Sequence, residues 1–310
     1  MKILITGGAG FIGSHIADRY LELGNEVVIV DNLITGSREN IPKSAVFYEL
    51  DICNGDGIRE VFEKERPNVV SHQAAQMDVR KSVEDPIYDA TVNVLGSINL
   101  LENCVKHGVS KFIFASTGGA IYGEQDYFPA DEQHPLRPLS PYGITKLTTE
   151  KYLYFYQQTY GMPYTVLRYA NVYGPRQNPH GEAGVVAIFS TRMLTGEQPV
   201  INGDGKQTRD YVYVGDVVNA NELVLTRGNN QVFNVGTGIE TDVNVLFQKI
   251  AGYMDHPVKE VHGPAKPGEQ QRSVLDYSRI QQELGWEPSV NLDQGIQKTV
   301  NYFREMLKHQ

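Results

Sequence analysis

Short apolar runs, separated by stretches whose apolar positions fall three and four residues apart, dominate the first half of the chain. Residues 3–6, 26–30, 46–49, 69–71 and 111–115 read as strands. Their Val- and Ile-rich runs do not alternate with polar residues, so both faces are expected to be buried. Between them, 12–23, 58–65 and 94–107 read as amphipathic helices, and in the last of these Val94, Ile98, Leu101 and Val105 form one stripe. Strand and helix in alternation predict right-handed crossovers and an α/β fold built on a doubly wound parallel sheet.

From about Gly174 the pattern changes to loops punctuated by proline and glycine. Short strands are expected near 199–202 and 233–235, and helices near 243–254, 278–284 and 292–307. Asp276 and Asp293 fall where a carboxylate can cap a helix start. This predicts a dinucleotide-binding domain over 1–173 and a smaller α+β lobe over 174–310, with sheet strands also drawn from 164–170 and 210–235.

The chain has 310 residues, of which 41% are hydrophobic, enough for about two ordinary domains with buried cores. Its net charge of −9 disfavours a broad nucleic-acid footprint, which needs basic surface. Only Cys53 and Cys104 occur; they are read as buried small residues, with no disulfide framework, no cysteine-rich zinc site and no metal expected. The N-terminal apolar run, Ile3-Leu4-Ile5, is too short for a secretion signal or a membrane span, so a cytoplasmic protein without membrane partners is expected.

Candidate chemistry begins at Thr6-Gly7-Gly8-Ala9-Gly10-Phe11-Ile12-Gly13, between the first strand and the first helix. A dinucleotide pyrophosphate can rest there on free backbone amides and the positive helix end, as in a Rossmann domain. Gly7 permits the turn, Gly10 lets the phosphates approach and Gly13 allows close helix packing. The second strand ends in Asp31, which can accept both ribose hydroxyls and would repel a 2′-phosphate, so the cofactor expected is NAD and not NADP.

A second cluster follows the fifth strand, at Ser116-Thr117-Gly118-Gly119 and at Tyr142-Gly143-Ile144-Thr145-Lys146 on a helix start. Tyr142 and Lys146, four apart, share a helix face, and an ammonium beside a phenol is expected to lower the phenol's pKa towards a usable base. With 18 tyrosines in the chain, roughly one such spacing arises by chance. The pair therefore carries weight only in company.

That company is present. The glycine turn, Asp31, Asp51-Ile52, Gln73-Ala74-Ala75, Asn93, Ser116-Thr117 and Tyr142/Lys146 stand in the order seen in extended short-chain dehydrogenase/reductases. The stretches 168–177 and 203–212 and Pro267-Gly268-Glu269 resemble the nucleotide-sugar branch of that family, nearest its 4-epimerase members, over essentially the whole chain. The resemblance implies oxidation and re-reduction at sugar C4 that interconverts UDP-glucose and UDP-galactose, with a homodimer formed through the helices 93–107 and 142–160.

By the same resemblance, Phe11 and Ile12 line the pyrophosphate, Asp31 and Asn32 the ribose, and Asp51 and Ile52 the adenine. Gln73, Ala74, Ala75, Gln76, Asn93 and Tyr169 border the rest of NAD. Tyr142 is the base, Lys146 its electrostatic partner and a ribose ligand, and Thr117 the hydroxyl on the sugar oxygen. Asn171 contacts the substrate, Val200 and Asn202 the uridine, and Arg209 and Arg272 the diphosphate. The family places its hydroxyl four residues before a Tyr-Gly pair, which here is Gly118; one extra residue gives the role to Thr117, with Ser116 the alternative.

Glycines at 118 and 119 stand where 4,6-dehydratases carry an acid pair, and UDP-glucuronate decarboxylases resemble the dehydratases in carrying a glutamate in this loop, which argues against both. A non-catalytic NAD sensor would not need Thr117, Tyr142 and Lys146 together. Ser273 stands where hexose-restricted relatives carry tyrosine, implying that N-acetylated UDP-sugars also fit. For burial in the dimer the chain offers Leu147, Leu153, Phe155, Tyr156 and Tyr160.

Overall fold

The computed structural model describes residues 1–179, 184–265 and 270–308. In the first part the elements are β1 (Lys2–Thr6), α1 (Phe11–Glu22), β2 (Glu26–Asp31), β3 (Val46–Glu49), α2 (Gly55–Glu65), β4 (Val69–His72), α3 (Val79–Glu84) and α4 (Pro86–Ala90). They continue with α5 (Gly96–His107), β5 (Lys111–Thr117), α6 (Gly118–Ile121), α7 (Pro141–Tyr160), β6 (Tyr164–Tyr169) and β7 (Asn171–Tyr173). The later elements are α8 (Val185–Leu194), β8 (Ile201–Asn202), β9 (Thr208–Tyr213), α9 (Val214–Val224), β10 (Gln231–Val235), β11 (Glu240–Asp242) and α10 (Val243–Ala251). They end with β12 (His262–Gly263), β13 (Arg272–Ser273), α11 (Ser278–Leu284) and α12 (Leu292–Lys308).

Seven strands form the main sheet in the order β10-β6-β5-β4-β1-β2-β3, every pair parallel. Strand residues alternate between its two faces, as the pleat requires. Ile3, Ile5, Val27 and Ile29 join α1 and α9 in one core, whereas Leu4, Val28 and Val30 join α2, α5 and α7 in the other. Because both faces are covered, the strands carry no polar alternation, which is why they were legible as continuous apolar runs. The order reverses between β1 and β4, so a crevice opens at their carboxyl ends, where doubly wound sheets bind ligands.

The expected contribution of 210–235 to this sheet comes from β10 alone. β9 instead belongs to a second sheet with β11 and β13, and its far half pairs with β7. Val186, Phe189, Leu246, Phe247, Ile296 and Val300, from α8, α10 and α12, form a third core beside that sheet. No helix among the described residues is long and apolar enough to cross a membrane. Cys104 is buried as expected, but Cys53 is exposed; both are free thiols.

Candidate active site

The glycine turn is a cradle that side chains would fill. Gly7 is left-handed at φ +70°, and a Cβ there would sit 2.6 Å from the backbone nitrogen of Ala74; at Gly13 it would sit 2.2 Å from the Gly7 carbonyl oxygen. At Gly10, by contrast, a Cβ would meet only that carbonyl oxygen, at 3.2 Å, so this side of the turn is open. Gly10 is the N-cap of α1, and Phe11 and Ile12 begin the helix, presenting N–H groups and the positive end of the dipole to that opening. The residues present therefore fit a dinucleotide diphosphate.

Asp31 closes the turn from the side: its carboxylate accepts from Ala9 N–H at 3.0 Å and from Leu33 N–H at 2.8 Å. Asn32 donates to Asp51 at 2.8 Å, and Asp51 accepts from Cys53 N–H at 2.8 Å. Burial works to raise the Asp51 carboxyl, but these hydrogen bonds outweigh it and hold the group below its ordinary value. Ile52 is buried beside Gly96.

Further along the crevice, Gln73 N–H pairs with Thr6 C=O, and Ala74 lies against Gly7. The Gln73 amide reaches Ser71 and Asn221, and Asn221 donates to the Tyr169 hydroxyl at 2.8 Å. Its own Oε1 is buried without a protein partner. Ala75 precedes Gln76, whose main chain is clamped by the Asn93 amide at 2.9 Å through both its N–H and its C=O. Gln76 and Asn93 also donate to Asp89, and so does Thr145 of α7. Asp89 was missed in the sequence; the available signal was its position four residues before Asn93 in a helical stretch.

β5 delivers Ser116 and Thr117 to the carboxyl edge of the sheet, and α7 faces them. Ser140 caps α7 by accepting from Gly143 N–H at 3.2 Å, and Pro141 occupies the first helical position, so Tyr142 lies in the first turn with Lys146 one turn on. The Thr117 side chain acts on the Tyr142 phenol and favours its ionised form. Ser116 instead donates to Glu150 at 2.6 Å, inside a buried cluster in which Arg168 grips the same carboxylate at 2.7 Å. Thr117 is the N-cap residue of the short helix α6.

The electrostatics differ from the sequence expectation. Lys146 Nζ donates to Ala115 C=O at 2.8 Å and lies 6.0 Å from the Tyr142 ring centre. Burial raises the phenol above its ordinary value, Asp89 adds to this, and Thr117 only partly offsets both. Burial likewise lowers Lys146, to about 8, against the opposing pull of Asp89 and Glu150.

At the second sheet, Asn171 stands in register with Tyr211, and Ser273 with Arg209. A Cβ on Gly119 would lie 3.4 Å from Asn171 Oδ1 and 3.8 Å from Thr117 Oγ1, so these two polar groups border the same gap. Asn202 C=O accepts from Gln207, and Val200, just before β8, is partly exposed. Arg272 is paired in register with Thr208, on the opposite sheet face from Ser273 and Arg209. Its guanidinium is held by Glu240 and stacks 3.7 Å over Phe128. Arg209 donates to Thr208 C=O at 2.8 Å. Pro267-Gly268-Glu269 lies outside the described residues.

Residues 3–236 match the model of the NAD dependent epimerase/dehydratase family. The chain is similar to a crystal structure of a UDP-glucose 4-epimerase with UDP-glucose from Thermotoga maritima, with TM-score 0.96 and 53% identity over 99% of this chain and 100% of that one. It is similar also to a UDP-glucose 4-epimerase complex with NAD from Thermus thermophilus, with TM-score 0.93 and 47% identity over 98% of this chain and 99% of that one. A UDP-glucose 4-epimerase of Mycolicibacterium smegmatis is 44% identical over 98% of this chain and 99% of its own.

Proposed function

The chain belongs to the NAD dependent epimerase/dehydratase family, and within it we propose that it interconverts UDP-glucose and UDP-galactose by inverting sugar C4. The observation that carries this reading is that β5 and α7 bring Thr117 to the Tyr142 phenol, one helical turn from Lys146, in a chain whose glycine turn fits NAD. NAD held in that cradle would supply the hydride acceptor and donor for sugar C4.

The chain's own residues move the proton and hold the substrate. Tyr142 takes the O4 proton on oxidation and returns it on reduction, while Thr117 hydrogen-bonds the same oxygen and fixes its distance from the phenol. Lys146 supplies the positive charge that stabilises the phenolate. Asp31 and Asn32 hold the adenosine ribose, Asp51 and Ile52 the adenine, and Gln73, Ala74, Ala75, Gln76, Asn93 and Tyr169 the remainder. Asn171 orients the substrate, Val200 and Asn202 the uridine, and Arg209 and Arg272 the diphosphate. Inversion requires the sugar to turn over between the two half-reactions, so binding energy is concentrated at the UDP end. Ser273 is small and in register with Arg209, which leaves room for an N-acetyl group.

A second copy of the chain completes the working unit. It packs along α5 and α7, where Leu95, Tyr154, Phe155 and Tyr160 are exposed. Leu153 and Tyr156, expected in that interface, are buried in their own core, and Leu147 packs against the cluster of Ile121, Tyr122, Ala130 and Leu275. Two free thiols suit a reducing cytoplasm. The direct test is to incubate the purified protein with UDP-galactose, without added NAD, and to follow UDP-glucose; its formation supports the reading and no conversion with or without NAD refutes it.

A further inference from the structure

Asp89 is a fully buried carboxylate in α4, and among the described residues its side chain accepts from three neutral side chains. Gln76 Nε2 donates at 2.9 Å, Asn93 Nδ2 at 3.1 Å and the Thr145 hydroxyl at 2.8 Å. These donors come from the loop after β4, from the π-helical turn Thr91–Leu95 and from α7. A π-turn re-aims side chains locally and recurs at functional sites; here it lets Asn93 reach both Gln76 and Asp89. The other buried acid nearby, Glu150, is neutralised by Arg168 at 2.7 Å.

Burying a carboxylate on neutral donors is expensive, and a neutral group of similar shape would remove that expense. The retained charge therefore calls for a role. Thr145 immediately precedes Lys146, and the field of Asp89 favours the Lys146 ammonium while disfavouring the Tyr142 phenolate. The other titratable or charged groups acting on this corner are Glu150 of α7, already paired with Arg168 of β6, and His72 of β4, which is held neutral.

We propose that Asp89 is a positioning residue for the reaction, an inference that rests on the roles given above to Tyr142 and Lys146. Through Thr145 its carboxylate fixes the first turn of α7, and its charge serves as a counter-ion of Lys146. The arrangement keeps both residues in register with the loop at Gln76, which borders the cofactor cradle.

The test compares Asp89→Asn and Thr145→Val with the NAD-loaded wild type, measuring kcat and KM for UDP-galactose across pH. Asp89→Asn is expected to lower kcat about tenfold and to leave KM within about twofold. It is also expected to move the pH optimum downward, because losing a negative charge eases deprotonation of both Lys146 and Tyr142. Thr145→Val keeps the charge and should lower kcat with the optimum unmoved. An Asp89→Asn enzyme with wild-type kcat and an unmoved optimum, whatever its melting temperature, overturns the proposal. If that variant does not fold, Thr145→Val decides: wild-type kcat there overturns it. Absence of turnover in the wild type would instead count against the parent reading.

Discussion

The hydroxyls of Ser116 and Thr117, adjacent on β5, act on different groups: Ser116 donates to Glu150 at 2.6 Å, and Thr117 acts on the Tyr142 phenol, favouring its ionised form. The two should therefore separate on mutation. Thr117→Ala should lower kcat by about a hundredfold with little change in melting temperature. Ser116→Ala should leave kcat near wild type and remove about 1–3 kcal/mol of stability, because it leaves a buried charged acceptor short of a donor. The reverse pattern would return the catalytic role to Ser116.

Asp31 supports the glycine turn through Ala9 N–H and bars a 2′-phosphate by charge. Asp31→Asn should weaken NAD binding by about tenfold or more and narrow the preference for NAD over NADP. Quantifying both nucleotides retained by the purified variant checks this, and an unchanged preference contradicts it.

His72 links the glycine turn to the catalytic region: its ring contacts Thr6 at 2.6 Å and Ser97 at 3.0 Å, and Ser97 donates to Asn93 C=O. Since Ser97 gives its proton to Asn93, Nε2–H is the donor to Ser97 and Nδ1 accepts from Thr6. Burial, aided by the Lys146 charge, pushes His72 down to about 3 from its ordinary 6.5. The unfolded chain therefore binds a proton that the folded one refuses, so this contribution is complete above pH 6.5 and is lost as pH falls from 6.5 towards 3. The slope approaches about 1.4 kcal/mol per pH unit. Unfolding curves of wild type and His72→Asn between pH 4 and 7 should converge towards low pH; parallel curves would contradict the assignment.

Ser273→Tyr should abolish turnover of UDP-N-acetylgalactosamine while leaving UDP-galactose turnover within about threefold, since a bulky ring beside Arg209 removes only the extra space. Comparing kcat/KM for the two substrates in wild type and variant measures this. Equal losses on both would show that Ser273 does not face the sugar substituent.

What could be read from the sequence was local. Gly7, Gly10, Gly13 and Asp31 lie within one strand-turn-helix and the end of the next strand, and the Tyr142/Lys146 pair lies on one turn of α7, so each falls within reach of a local pattern. Assigning Thr117 over Ser116 required the partner of each hydroxyl, and Glu150 reaches β5 only through packing of α7 on the sheet. The pairing of β13 with β9, which sets Arg272 opposite Thr208 and Ser273 opposite Arg209, follows from a register that local pattern does not encode. Cys53 was expected inside but lies in the exposed turn after Asp51. Leu153 and Tyr156 were assigned to a partner because the apolar positions of α7 do not reveal which side meets its own sheet.

The central claim is that hydride leaves C4 and returns to the same carbon while Tyr142 handles only the O4 proton. UDP-galactose carrying deuterium at C4, incubated with the enzyme in ordinary water, tests it most directly. Deuterium retained at C4 of the UDP-glucose formed is the predicted result; its replacement by solvent hydrogen would contradict the account.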